Sequence, residues 1–197
     1  MAEILQNLPL TFIPIFVAMD PFGLLPIFTS LTREMSAKEK NDVVRFSTLT
    51  ALAISIAFVF IGQGVFKVLG ITVDDFKIAG GILLLVIAII ELLGRGQQHR
   101  EPQDVGVVPL GVPMLVGPAV LTIVIVLIDN YGIAATILSL VINLTIVFVV
   151  FSAEQRIIKV IGKNGLIAIS KVVALLLAAI AVMMIRLGME SYFGMQT

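Results

Sequence analysis

Apolar residues in this chain come in six long runs separated by short polar stretches. The runs cover residues 8–31, 45–69, 76–93, 109–128, 133–152 and 166–187. Each is close to the ~20 apolar residues that a helix needs to cross the hydrocarbon core of a bilayer. The pattern predicts an all-α integral membrane protein with six transmembrane helices. Composition makes that reading hard to avoid: 59% of the residues are hydrophobic, 13% are charged, and mean hydropathy is +1.12. Soluble domains sit nearer 45–50% apolar and about 25% charged, and could not hide this much apolar surface.

Charge and residue usage then exclude several classes. Net charge is zero, so no nucleic-acid partner is expected. There is no cysteine, which removes thiol redox chemistry, disulfides and cysteine-ligated metals. The single histidine, His99, lies in the polar stretch 94–108 and reads as solvated. No metal or other cofactor is expected. The first run lacks the basic flank and cleavage site of a signal peptide, Glu3 being the only charge before Asp20. It reads as a retained span.

Lysine and arginine divide unevenly between the connections. Arg33, Lys38, Lys40, Arg45, Arg95, Arg100, Arg156, Lys159, Lys163 and Lys171 follow runs one, three and five, whereas Lys67, Lys77 and Arg186 fall on the other side. The positive-inside rule then places both termini on the non-cytoplasmic side.

The two halves resemble each other. Shifting the second half back by 92 residues lays Pro113 on Pro21, Pro118 on Pro26, and Lys159-Val160-Ile161-Gly162 on Lys67-Val68-Leu69-Gly70. With two residues more, Lys171 lands on Lys77 and Leu187-Gly188 on Leu93-Gly94. The division expected is a first three-helix repeat at 1–94, a polar connection at 95–108 and a second repeat at 109–197. Three spans is an odd number, so the second copy must enter the membrane from the opposite side. This is the inverted-repeat plan of many secondary transporters, whose substrate sites lie near mid-membrane between the repeats.

Runs one and four carry the most chemistry. Run one contains Met19-Asp20-Pro21-Phe22-Gly23-Leu24-Leu25-Pro26, and run four contains Val112-Pro113-Met114-Leu115-Val116-Gly117-Pro118. Proline removes a backbone donor and clashes with the preceding turn, and glycine permits positive φ. Both helices are expected to break near mid-membrane. Asp20 followed by Pro21 also reads as an N-cap and first-turn proline of a second half-helix. Broken helices expose N–H groups that attract anions and carbonyls that attract cations, a combination suited to a small zwitterion. The alternative is simple kinking for packing.

Asp20 is the one acidic residue well inside an apolar run, where a charge is costly. It can cap, bind a substrate ammonium or carry a coupling proton. The expected substrate contacts are backbone groups at Gly23 and Gly117, framed by Asp20, Pro21, Pro26 and Pro118, with Thr29, Thr122 and Asn143 as side-chain candidates. Thr136, Ser139 and Asn143 share one face of the fifth helix, matching Ser47, Ala51 and Ser55 on the second. That stripe suits either a pathway lining or interhelical hydrogen bonds. Glu91 is expected to reach the interface, and Lys77 and Lys171 to snorkel.

Asp20-Pro21-Phe22-Gly23 with Pro26-Ile27-Phe28, the stretch Phe76-Lys77-Ile78-Ala79-Gly80-Gly81 and the region 109–118 together resemble the MarC family of bacterial and archaeal inner-membrane proteins. The resemblance covers essentially the whole chain. It implies a multi-pass inner-membrane transporter of small neutral amino acids such as glycine and alanine. Two positions depart from the family pattern: Leu24 stands where an asparagine is common, and Ala174 where a glycine is usual.

Secondary transport by alternating access, coupled to an H⁺ or Na⁺ gradient, is therefore the leading expectation. Export of another small metabolite or ion is a second, and a non-transporting structural or regulatory subunit a third. An enzyme is not expected, because no intramembrane His–carboxylate or metal set is present. No nucleotide-binding loop of the P-loop kind appears, which argues against direct ATP drive.

Overall fold

The computed structural model describes residues 2–94 and 115–192. All regular structure there is helical: α1 Ala2–Met19, α2 Pro21–Leu31, α3 Ala37–Leu69, α4 Val73–Leu92, α5 Pro118–Tyr131, α6 Ile133–Ser152 and α7 Glu154–Tyr192. The expected polar connection at 95–108 and the start of the fourth run, including Pro113, lie outside the described residues.

Among the described residues, four segments are long and apolar enough to cross a membrane: Ile4–Leu31, Ala37–Ile61, Ile133–Ser152 and Glu154–Ser191. The helix α4 has 20 residues but carries Asp74, Asp75, Lys77 and Glu91. The helix α5 has 14 residues and begins close to the boundary of the described region. Large apolar side chains are exposed around the bundle, among them Phe46, Phe60, Ile82 and Val149, as a protein solvated by lipid tails requires.

Helix ends differ from the hydropathy reading for a local reason. The apolar run begins at residue 45, yet α3 starts at Ala37. The Ser36 hydroxyl accepts from the Glu39 N–H while Glu39 accepts from the Ser36 N–H at 2.7 Å, a capping box that starts a helix in polar sequence. Likewise α4 starts on a capping box between Thr72 and Asp75. Hydrogen bonds from the Thr72 hydroxyl and then its N–H hold the Asp75 carboxyl below the usual carboxylate range. The helix α7 begins at Glu154, before the run at 166, and bends at Gly162, where φ is 73° and ψ is 162°. Gly70, after α3, has φ 68°.

The helix α5 is the innermost element. It is apolar all round, and Thr122 to Leu127 are buried without interruption, as expected for a helix surrounded by others. Around it, α1 packs on α6 and α4 packs extensively on α7. Along the α1–α6 seam the Thr11 and Ser139 hydroxyls are 2.6 Å apart, and Asn143 Nδ2 donates to the Phe12 carbonyl at 3.2 Å. The α4–α7 seam is closed by missing side chains. A Cβ on Gly81 would lie 2.7 Å from the Ala181 carbonyl oxygen, and one on Gly188 would lie 2.9 Å from that of Asp74.

These contacts are with backbone, which cannot rotate away. Gly81→Ala and Gly188→Ala are each expected to cost about 1–3 kcal/mol, the usual penalty of overpacking. Thermal unfolding in detergent checks this: both midpoints should fall, while Ile82→Ala on the lipid-facing side should stay close to the parent.

Candidate functional site

The site starts at Asp20, the single residue between α1 and α2. Its backbone is left-handed, with φ 39° and ψ 63°, the one positive-φ residue among the described residues that is not glycine. Such a conformation is uncommon outside glycine, and aspartate and asparagine tolerate it best. Pro21 supplies the first position of α2 and has no N–H to leave unpaired. The Asp20 Oδ1 accepts the Gly23 N–H at 3.1 Å, an N-cap. The interruption is thus one residue wide.

The second carboxylate oxygen reaches another helix. Asp20 Oδ2 accepts the Ser170 hydroxyl of α7 at 2.8 Å, and Ser170 Oγ lies 3.2 Å from Glu91 Oε1 of α4. Ser170 is 1% exposed. One hydroxyl has one proton. The Asp20 and Glu91 carboxyl groups therefore share that proton in a three-centre bond or compete for it. Gly23 makes this approach possible, because a Cβ there would overlap Asp20 Oδ2 and sit 2.5 Å from Ser170 Oγ.

This carboxyl pair faces a cavity of ≈ 200 Å³. The interruption borders it with Asp20 and Gly23, and α4 contributes Glu91. The beginning of α5 contributes Gly117, Pro118, Ala119 and Val120, and α7 contributes Ala174. Gly117 is the N-cap of α5, and among the described residues no side chain caps the first-turn N–H groups that border the cavity.

Of the residues expected from sequence, Asp20, Gly23, Gly117 and Pro118 meet around this cavity. Pro21 is buried within α2, and Pro26 lies inside the same helix. Thr29 sits at the far end of α2, where its hydroxyl bonds the Leu25 carbonyl and Glu154 Oε2. Thr122 is buried in α5 against Gly80. Asn143 belongs to the α1–α6 seam, its Nδ2 held by the Phe12 and Ser139 carbonyls. Ser139 and Asn143 of that stripe are therefore interhelical glue in this structure, whereas the Thr136 hydroxyl donates to the Gly132 carbonyl at the start of its own helix.

Sequence reading missed Glu91 and Ser170. Glu91 falls in the last turn of α4 and resembles an interfacial residue. A single serine in an apolar helix carries no signal of its own. Lys77 was expected to snorkel but is 8% exposed, paired with Asp74 at 3.0 Å and Asp129 at 3.3 Å. A carboxylate on each side makes burial affordable where solvent is scarce.

Capping and chemistry at Asp20 can be separated. Asparagine both caps and accepts the left-handed region, so Asp20→Asn should keep the unfolding midpoint near that of the parent. Asp20→Ala loses the cap and places alanine at positive φ, a loss of about 1–3 kcal/mol. Unfolding in detergent distinguishes the two; equal losses would mean that the charge, and not the cap, holds the α1–α2 junction.

Residues 5–193 match the family described as MarC family integral membrane protein. A UPF0056 membrane protein of Methanocaldococcus jannaschii is 35% identical, with 94% of this chain and 97% of the relative covered. The UPF0056 membrane protein YvbG of Bacillus subtilis is 30% identical over 94% of this chain and 95% of its own length. YhcE of Escherichia coli, another UPF0056 membrane protein, is 26% identical over 92% and 91%. No solved structure matches. With the family matched over almost its whole length, the chain belongs to the MarC family of integral membrane proteins.

Proposed function

We propose that the protein is a secondary transporter of small neutral amino acids that works by alternating access and is driven by an H⁺ or Na⁺ gradient. The observation that carries this reading is the cavity at the α1–α2 interruption, with an uncapped helix start on one side and two carboxyl groups on the other. The N-terminus of α5 suits a substrate carboxylate. Asp20 and Glu91 suit its ammonium group. A water occupies about 30 Å³ of liquid, so this space admits a molecule of a few heavy atoms and excludes large side chains. Gradient drive assigns a proton or Na⁺ to the Asp20–Ser170–Glu91 unit.

Two further observations support the mechanism. Gly70 and Gly162, equivalent under the 92-residue shift, both have positive φ, 68° and 73°, as a duplicated fold would produce. Six spans put both termini on one side of the membrane, and the lysine and arginine bias assigns the non-cytoplasmic side. Second, polar clusters link the two halves at both ends of α7. At one end buried Glu154 pairs with Lys40 of α3 and accepts from Thr29. At the other, the Ser191 hydroxyl donates to Asp74 at 2.6 Å, beside the Lys77–Asp129 pair. Ser170, bonded to the cavity residues Asp20 and Glu91, lies between them along α7. Alternating access would break one cluster at a time.

Uptake of labelled glycine and alanine into proteoliposomes with imposed H⁺ or Na⁺ gradients tests the assignment. Asp20→Asn should abolish gradient-driven uptake; spared binding would make Asp20 the carrier of the coupling proton, and lost binding would make it a ligand of the ammonium. Protein that neither binds nor exchanges either amino acid would refute the substrate class. The gates have a separate test, because the chain has no native cysteine. With Ala174→Cys as sole thiol, Glu154→Gln and Lys77→Met should each increase its labelling by impermeant maleimide, from opposite sides of the membrane. Increases from the same side would sink the two-gate reading.

A further inference from the structure

A second hollow lies away from the cavity, where the turn between α2 and α3 meets the junction of α6 and α7. Its volume is ≈ 780 Å³. The rim carries Arg33 and Arg156, and the floor carries Val44, Phe148, Val149 and Phe151. Lys40 also borders it, but its charge is already met by Glu154. Arg33 and Arg156 are exposed, and neither meets a carboxylate among the described residues. The floor is graded: Phe151 is 5% exposed and Val149 is 57% exposed. Val149 also lies on the outer surface of α6, so the hollow runs from two unpaired guanidiniums onto the surface that faces lipid tails.

From this arrangement we propose that the hollow is a binding site for an anionic phospholipid. The two guanidiniums take the phosphate, for which their planar fork of donors is suited. The acyl chains leave along Phe148 and Val149. A free phosphate would use the rim but leave the apolar floor wet, so the amphipathic shape selects lipid. The basic end of the molecule is also where the positive-inside rule predicts the leaflet richer in anionic lipid. The site joins α2–α3 of the first half to α6–α7 of the second and includes Glu154 and Lys40 in its wall. A bound lipid would therefore hold the Glu154 end of α7 closed. This site does not depend on the transported substrate.

The test uses purified full-length protein in neutral detergent. Phosphatidylglycerol or cardiolipin is added, with phosphatidylcholine and inorganic phosphate as comparisons. Anionic lipid should raise the unfolding midpoint by about 5 °C, as selective binding to the folded state does, and give lipid adducts in native mass spectrometry. A cation near an anionic surface strengthens binding about fivefold. The double variant Arg33→Gln, Arg156→Gln should therefore weaken adduct formation roughly thirtyfold. Arg45→Gln, at the same end but outside the hollow, should retain it. Equal stabilisation by phosphatidylcholine, or full adduct formation by the double variant, would overturn the proposal. Equal stabilisation by inorganic phosphate would replace the lipid with a free anion and overturn it too.

Discussion

A bilayer offers no water to satisfy polar groups, and everything distinctive here follows from the one place where the chain defies that rule. At Asp20 a left-handed residue and a proline interrupt a helix run of 28 residues. The Asp20 carboxyl repairs the damage on both sides, taking the Gly23 N–H with one oxygen and the Ser170 hydroxyl with the other. The first bond restarts the helix. The second fixes α7 against α2 and brings Glu91 alongside. Cap, tertiary tie and site chemistry are then one group, so the interruption is also the place where a ligand or a proton can act on packing.

The polar contacts have a common direction. Thr11 to Ser139, Phe12 to Asn143, Asp20 and Glu91 to Ser170, Thr29 and Lys40 to Glu154, Lys77 to Asp129 and Asp74 to Ser191 all run between residues 2–94 and 115–192. Apolar packing and glycine contact supply cohesion, whereas hydrogen bonds and ion pairs supply registration between the halves. Asn143 shows the cost of that specificity: its Oδ1 is buried without a partner among the described residues, while its Nδ2 is doubly engaged. Leaving such an oxygen dry costs about 1–3 kcal/mol, so the seam is built for position as well as stability.

Hydropathy made the class legible, and the Pro–Gly–Asp chemistry of run one made Asp20 and Gly23 legible, because these residues announce backbone geometry. Gly117 and Pro118 were readable for the same reason. Thr29, Thr122 and Asn143 were chosen as polar groups in apolar helices, a property shared by groups that bind ligand and groups that bind a neighbouring helix. Only tertiary structure separates those uses, and here it assigns all three to contacts within the protein. Glu91 and Ser170 were invisible because each takes its meaning from a residue on another helix. The helix start at Ala37 escaped hydropathy because its Ser36–Glu39 capping box acts in polar sequence, where no apolar run marks it.

The long reach of these contacts bears on how the chain is made. Asp20 waits for a partner 150 residues downstream, and Thr11 for one 128 downstream. At about 5–20 residues per second of synthesis, the first span is made about 7–30 s before Ser170 exists. Through that interval it holds a carboxyl group and four prolines, Pro9, Pro14, Pro21 and Pro26, with their tertiary support still untranslated. The nascent helix must therefore be sheltered by the insertion machinery, or lodge at the interface, until α6 and α7 arrive. Truncation after the first half would leave no folded half-protein, only an interrupted helix with its polar groups facing lipid.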